Sequence, residues 1–246
     1  MNGSGKAVRE KKMKSMLMES PAFVAAPYLH AGDNMTRDKF LRIWNKLPNL
    51  KRAELIGGIV YIMSSPLSIE HGDMDNNMGV WIGNYRIATP GCASGNNASA
   101  LLLDDCPQPD LNLRVKPEFG GKSRVQKKLL AGPAELLIEV CLSSASLDLH
   151  QKFDLYEEAG VPEYLVVILK KKQIRWHRLV NGKYKLLAPD AEGVYRSHVF
   201  PGLWLDSVAL FKDDMAKVLA TLNDGLAADE HQQFVEDLAK RKRKTK

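Results

Sequence analysis

Apolar residues recur along this chain with two different periods, and the changes of period predict an alternation of strands and helices. Glycine-containing turns divide alternating apolar runs in two places and predict β-hairpins over residues 52–63 and 173–187. Apolar residues three or four positions apart predict helices after Thr36, after Ser65-Pro66, over 146–159 and over 211–222. Shorter strands are predicted over 101–103, 111–115, 163–169 and 200–206. This order predicts an α/β or α+β fold, with one mixed sheet and helices packed on it.

The most apolar predicted strand contains an acidic residue. Residues 134–141 form an apolar run between turn residues, which is typical of a strand buried on both faces, and Glu139 lies inside this run. Burying an unpaired carboxylate is strongly unfavourable. We therefore expect Glu139 to be protonated, paired with a cation or bound to a metal, and the strand pattern alone allows all three.

Two other residues are predicted to lie near Glu139. Asp110 follows Pro109 at the head of the strand over 111–115, and Lys152 lies on the helix that follows the strand of Glu139. Two carboxylates on neighbouring strands can share a divalent cation through oxygen ligands. A lysine beside them can orient a water molecule or stabilise negative charge on a phosphate. These three residues are the minimum set for metal-assisted phosphodiester hydrolysis.

Each of these residues also has a simpler interpretation. Asp110 could be an ordinary aspartate at the start of a strand. Glu139 could form a buried ion pair with an arginine. Lys152 could pair with Asp148 on a helix surface, a contact that contributes only about 0.3–0.5 kcal/mol.

The net charge of +6 is concentrated at the two ends of the 246-residue chain. Residues 1–20 carry +3 and residues 240–246 carry +6, which leaves −3 for residues 21–239. We expect a flexible basic N-terminal arm over 1–34, a single domain over 35–226 and a basic C-terminal tail over 227–246. The basic segment over 122–128 and these ends are better candidates for phosphate contacts than the hairpin residues 175–178, for which an ordinary solvated sheet face is the simpler interpretation.

The cysteines and the hydropathy indicate the cellular compartment. Cys92, Cys106 and Cys141 are odd in number and form no C-x-x-C pair, which argues against a disulfide framework or a zinc knuckle. The sequence contains no signal-peptide pattern and no apolar stretch long enough to span a membrane. We expect a cytoplasmic protein.

The sequence resembles a known nuclease superfamily at these same residues. Gln108-Pro109-Asp110, the run over 135–140 and the helix with Asp148 and Lys152 are similar to the PD-(D/E)xK nucleases, and more narrowly to the Uma-type restriction endonucleases. The resemblance covers roughly residues 36–210. Its further motifs are the hairpin segment 54–58, the segment 65–71, Tyr156 and the segment 160–164.

The resemblance implies a fold, an activity and a set of site residues. The implied fold is a restriction-endonuclease-like mixed β-sheet core flanked by helices, with an added β-hairpin region. The implied activity is that of a metal-dependent endonuclease that acts on DNA with Mg²⁺, or alternatively Mn²⁺, often as a homodimer. The implied site residues are the metal ligands Asp110 and Glu139, the catalytic lysine Lys152, the acidic residue Glu54, and the accessory residues Gln108 and His71.

One position departs from the superfamily pattern. The usual lysine, two residues after the glutamate, is replaced by Cys141, so the resemblance requires that Lys152 supplies the cation. Two other classes of protein therefore stay open. One is a catalytically inactive nucleic-acid-binding protein that retains the fold, and the other is a partner-binding scaffold in which Glu139 forms a structural ion pair.

Overall fold

A computed structural model describes residues 28–62, 68–142 and 150–244. Features predicted for residues 1–27, 63–67 and 143–149, among them Ser65-Pro66 and Asp148, lie outside the described residues. The strands are β1 (Ala53–Ile56), β2 (Ile59–Ile62), β3 (Cys92–Asn96), β4 (Ala100–Leu101), β5 (Leu111–Val115), β6 (Arg124–Gln126), β7 (Leu129–Ala131), β8 (Leu136–Cys141), β9 (Glu163–Ile168), β10 (Gln173–Val180), β11 (Lys183–Leu187), β12 (Val194–Arg196) and β13 (Trp204–Asp206). The α-helices are α1 (Arg37–Trp44), α2 (Ile69–Ala88), α3 (Lys152–Glu158), α4 (Ser207–Leu210), α5 (Met215–Ala227) and α6 (Asp229–Lys244).

A six-stranded mixed sheet forms the centre of the fold, in the order β11-β10-β9-β8-β5-β3. β8 pairs in parallel with β9, and the other neighbours pair antiparallel. β8 is buried along its whole length, as the apolar run over 134–141 predicted. The mixed sheet with flanking helices and small hairpin sheets confirms the predicted fold class.

Successive residues of β8 and β9 point to two different hydrophobic clusters. On one face, the main core packs the sheet against α2, α5 and α6. On the other face, the α3-side core contains Leu137 and Cys141 together with Tyr156 of α3. A third cluster, the hairpin core, joins α1 to the β1–β2 hairpin and includes Cys106. Because side chains alternate along a strand, Glu139 faces the α3-side core with Leu137 and Cys141.

Helix α2 confirms the predicted apolar face but begins later than expected. Its buried residues are those predicted from the spacing, namely Met74, Met78, Trp81, Ile82 and Tyr85. The helix starts at Ile69, because the side chain of Ser68 accepts a hydrogen bond from the backbone N–H of His71 and caps the first turn. The predicted helix over 211–222 likewise begins later, as α5 at Met215, because the side chain of Asp214 accepts a hydrogen bond from the backbone N–H of Lys217 and caps it.

Three segments that we expected to be irregular or exposed are ordered parts of the fold. The basic segment over 120–132 contains the β6–β7 hairpin. At the N-terminal side, the N–H of Gly32 donates to the carbonyl of Val60, so the expected arm over 1–34 is part of the hairpin layer from at least residue 29. Trp176 is fully buried, because it packs edge-on against Trp81 at 5.9 Å between ring centroids, so a solvated or DNA-facing role was wrong for this residue.

The C-terminal segment also differs from the expected tail. Residues 229–244 form helix α6, and the side chain of Leu238 is fully buried in the main core. A polar sequence conceals this contact because only one narrow stripe of the helix is apolar. No helix in the described part of the chain is long and apolar enough to cross a membrane. The division of the chain into domains stays a prediction.

Candidate active site

A buried lysine lies between two buried carboxylates at the centre of the molecule. The Nζ atom of Lys152 is 3.0 Å from Oε1 of Glu139 and 3.1 Å from Oε1 of Glu54. All three side chains are at most 3% exposed. Within the described residues, the cation that pairs with Glu139 is therefore a lysine, whereas the simpler interpretation expected an arginine.

Hydrogen bonds fix the orientation of both carboxylates. Tyr156, one turn after Lys152 on α3, donates its hydroxyl to Oε1 of Glu139 at 2.9 Å. The backbone N–H of Gln108 donates to Oε1 of Glu54 at 2.6 Å, and the Gln108 side chain donates to the carbonyl of Asn97. Glu54 reaches this point because β1 forms a tight hairpin with β2 and also bonds to Cys106 along its backbone. Four separate chain segments thus meet at one ion cluster.

Asp110 lies directly opposite Glu139 on the neighbouring strand. Leu111 of β5 pairs with Ile138 of β8, so one further step of this antiparallel register brings Asp110 to Glu139. The backbone N–H of Val140 donates to Oδ2 of Asp110 at 2.8 Å, which confirms their proximity. Cβ atoms of directly opposed residues are about 5 Å apart, a separation at which two carboxylates can share one cation.

His71 approaches Asp110 from the start of helix α2. Its Nε2 atom is 3.7 Å from Oδ2 of Asp110, and both side chains are about one-eighth exposed. The structure therefore brings all five sequence-predicted residues, Glu54, His71, Asp110, Glu139 and Lys152, into one continuous constellation. Asp110 and His71 form its more accessible side, while Lys152 and its two carboxylate partners form the buried side.

Asp75 is an acidic neighbour that the sequence reasoning missed. It lies one turn after His71 on α2, and its pKa is raised by burial and by the negative charge of Asp110, against the opposing effects of His71 and Arg52. Its Oδ1 atom is buried and has no hydrogen-bond partner among the described residues. The available signal was the four-residue spacing between His71 and Asp75, which places both on one face of the helix.

The donor atoms fit an open magnesium site. Mg²⁺ typically takes one or two protein carboxylates and keeps several waters or phosphate oxygens, and Asp110 and Glu139 provide that number of hard oxygen donors. Oε2 of Glu54 is a further buried oxygen without a hydrogen-bond partner in the described part of the chain. Over residues 28–62, 68–142 and 150–244, no three or more His, Cys, Asp or Glu side chains form a group that could hold a metal. The described residues therefore fit a two-carboxylate site and not a closed protein cage.

Comparisons with known proteins identify a family and a shared fold. The model of the Uma2 family, described as putative restriction endonuclease, matches residues 37–208, a span that contains every candidate site residue. A similar solved structure is that of a putative nuclease belonging to DUF820 from Anabaena variabilis, with a TM-score of 0.56 and 15% identity over 72% of this chain and 98% of that chain. At this identity the likeness shows a shared fold. No curated protein matches the sequence. Because the family match spans well over half of the sequence, the chain belongs to the Uma2 family of putative restriction endonucleases.

Proposed function

We propose that this protein is a metal-dependent endonuclease that hydrolyses phosphodiester bonds in DNA. The observation that carries the proposal is the buried Lys152, held between Glu139 and Glu54, with Asp110 opposite on the next strand. Replacing a buried ion cluster by well-packed apolar residues is often neutral or stabilising. A cluster of this kind, with its Asp110 side partly open to solvent, is therefore better explained by chemistry than by stability.

Asp110 and Glu139 would hold the metal, Mg²⁺ or alternatively Mn²⁺. When bound, such an ion would neutralise charge on a phosphate and lower the pKa of a water molecule. The N–H of Val140 holds Asp110 in place, and the hydroxyl of Tyr156 does the same for Glu139. Both carboxylates are thus oriented before any ligand arrives, which avoids reorganisation during the reaction.

Lys152 would supply the positive charge that the superfamily usually obtains from a lysine at the position of Cys141. Its Nζ is fixed between two carboxylates in a water-poor interior, where electrostatic stabilisation of a developing phosphate charge is stronger than in water. His71, beside Asp110, would be an accessory group at the open side of the site. Glu54 would position the ammonium group of Lys152.

The proposal also covers the substrate, the oligomeric state and the cellular compartment. The nucleic-acid substrate rests on family membership. The homodimer rests on the sequence resemblance alone, and a light-scattering mass of one chain, 27.4 kDa, would overturn it. A reducing cytoplasm suits the three cysteines, because each is buried in a different hydrophobic cluster.

Plasmid nicking with and without added Mg²⁺ or Mn²⁺ tests the proposed activity. We expect metal-dependent nicking that Asp110→Asn, Glu139→Gln and Lys152→Ala each reduce by roughly 100-fold or more, as for other removed electrostatic groups. Lys183→Ala is a matched lysine control, because the Lys183 side chain is 80% exposed and its ion-pair partner, Glu157, is not a candidate site residue. This variant should retain full activity.

Two results would contradict the proposal. Equal cleavage by the parent protein and Asp110→Asn would show that the site is assigned wrongly, since Asp110 is accessible enough for its replacement to leave the fold intact. DNA binding without turnover under any metal condition would instead favour the inactive DNA-binding alternative, which the missing lysine at Cys141 keeps open. Circular dichroism of each variant separates a lost activity from a lost fold.

A further inference from the structure

The basic C-terminal residues are carried by an ordered helix. Leu238 of α6 is fully buried and Phe234 packs against the main core, so the helix is anchored along its length. His231, near its start, lies 2.9 Å from the hydroxyl of Thr89 through Nε2 and 3.0 Å from the carbonyl of Leu226 through Nδ1. The charged side chains of Arg241 and Lys242 therefore have a defined place on the protein surface.

Helix α6 ends against the loop that follows β5. A Cβ atom added at Gly120 would lie 3.3 Å from Cδ of Arg241, which shows how closely this side chain crosses the loop. Nζ of Lys242 lies 5.0 Å from the centroid of the Phe119 ring, a cation–π contact that leaves the ammonium group at the surface. The end of α6 and the loop around Gly120 thus form one surface.

Two basic segments that are distant in sequence meet on this surface. Residues 116–128 carry five cations and a single acid, Glu118, and five consecutive cations occupy residues 240–244. Lys240 is paired with neighbouring acids, at 3.1 Å from Asp237 and 3.8 Å from Glu236, so two acids offset part of the charge at this helix end. Arg124, Lys127 and Lys128 lie exposed on the β6–β7 hairpin, which follows this loop in the chain. Bringing so many like charges together is unfavourable unless a polyanion binds there.

The basic surface lies away from the candidate active site. Asp110 precedes β5 and Lys116 follows it, so the extended strand separates them by about 20 Å. The rise of B-DNA is about 3.4 Å per base pair, so this separation corresponds to about six base pairs. Phosphates bound at this surface would belong to the duplex flanking the bond that is cut.

We propose that the end of α6 and the β6–β7 hairpin form a docking surface for the phosphate backbone of duplex DNA. This inference rests on the proposed function for its partner, since a nuclease must hold DNA, but its residues lie outside the site. Helix α6 also lies beyond the family match at residues 37–208, so this half of the surface is not part of what the family match covers. Contacts to phosphates do not distinguish one base from another, so this surface would strengthen binding to DNA of any sequence.

Fluorescence anisotropy with a labelled 20-base-pair duplex tests the surface, using the full chain in EDTA over a series of salt concentrations. Each phosphate contact contributes about 0.9 to the slope of log K against log salt concentration. We expect Arg241→Gln/Lys242→Gln and Lys127→Gln/Lys128→Gln each to lower the slope by about 1–2 and to weaken binding several-fold at low salt. Lys183→Gln/Lys185→Gln removes the same charge from the distant edge strand β11 and should leave the slope unchanged.

The outcomes separate this inference from the proposed function. Unchanged slopes in both surface variants, equal losses in the β11 control, or no DNA binding by the parent would each overturn the docking surface. Because EDTA removes any metal-dependent cleavage, the binding result does not depend on turnover. If the surface variants have reduced slopes but the parent never nicks plasmid, the docking surface is supported and the nuclease activity is overturned. If the slopes are unchanged but the parent nicks plasmid, the nuclease activity is supported and the docking surface is overturned.

Discussion

Burial of Glu139 is compatible with the fold because one helix supplies two donors to the same oxygen. Lys152 and Tyr156 are four residues apart, so both project from one face of α3 towards Oε1 of Glu139. Removal of either partner would leave a buried charge with fewer hydrogen bonds, and the loss of Lys152 would leave two carboxylates facing each other. The residues of the site thus also contribute to stability, and activity assays of their variants need a parallel measurement of folding.

Glu163 is a second buried carboxylate whose loss of hydration is partly offset by hydrogen-bond donors. Its oxygens accept hydrogen bonds from Trp176, Ser197 and the backbone N–H groups of His198 and Val199. Burial nevertheless raises the pKa of Glu163 to about 7, because loss of hydration outweighs these four donors. The folded protein therefore binds a proton more tightly at this group than the unfolded chain does.

This pKa predicts a loss of stability as the pH rises. The contribution of protonated Glu163 is complete below about pH 4.5, the ordinary pKa of glutamate, and is lost as the pH passes 7. The full difference corresponds to about 3 kcal/mol. Glu163→Gln cannot ionise, so its free energy of unfolding relative to the parent should improve by this amount between pH 4.5 and 8, measured by urea denaturation.

The difference in free energy of unfolding between the parent and Glu163→Gln isolates Glu163, because the contributions of all other titrating groups are the same in both proteins and cancel. The Glu163→Gln protein should be less stable than the parent at pH 4.5, since the amide cannot accept all four hydrogen bonds. Glu118→Gln, at an exposed position, is the control and should follow the parent at every pH. A constant difference between Glu163→Gln and the parent from pH 4.5 to 8 would show that Glu163 is ionised throughout.

At the scale of single elements, local patterns predicted the strands and hairpins well. The hairpin at Asn181-Gly182 was predicted with the observed bounds, since both residues have positive φ and this turn chemistry is strongly local. The buried strand β8 followed from its apolar run, and Glu139 followed from being the exception within it. These features depend on residues that are neighbours in the chain, so they can be predicted from the sequence alone.

Elements that depend on distant contacts were not predictable in this way. The polar sequence of α6 gives no sign that Leu238 enters the main core, because the cavity it fills is built by other segments. β6 and β7 are three residues each, and β7 also pairs with β4 from another part of the chain, which a basic and polar segment does not reveal. Asp75 was missed for a similar reason, since its pKa is raised by burial in the fold and by the negative charge of Asp110, which precedes β5.

At the scale of the whole molecule, the candidate site lies where the three hydrophobic clusters meet. Glu54 belongs to β1 in the layer of the hairpin core, Lys152 and Tyr156 belong to α3, and Asp110 precedes a strand of the main core. The ion pairs of Lys152 therefore join the hairpin layer to the α3-side core. A site at such a junction is positioned by all three clusters and should couple their stabilities.

Each cluster contains one buried cysteine, so thiol modification reports on this coupling. Cys92 lies in the main core, Cys106 in the hairpin core and Cys141 in the α3-side core, and burial raises the pKa of both Cys92 and Cys106 to about 12. We expect a thiol reagent to modify all three at one common rate, more than ~1000-fold slower than in denaturant, because modification requires global unfolding. Lys152→Ala should release the hairpin layer and accelerate Cys106 most, whereas Lys183→Ala should leave the three rates equal. Peptide mass spectrometry resolves the individual thiols, and faster modification of Cys106 in the parent protein would show that the hairpin layer opens independently of the site.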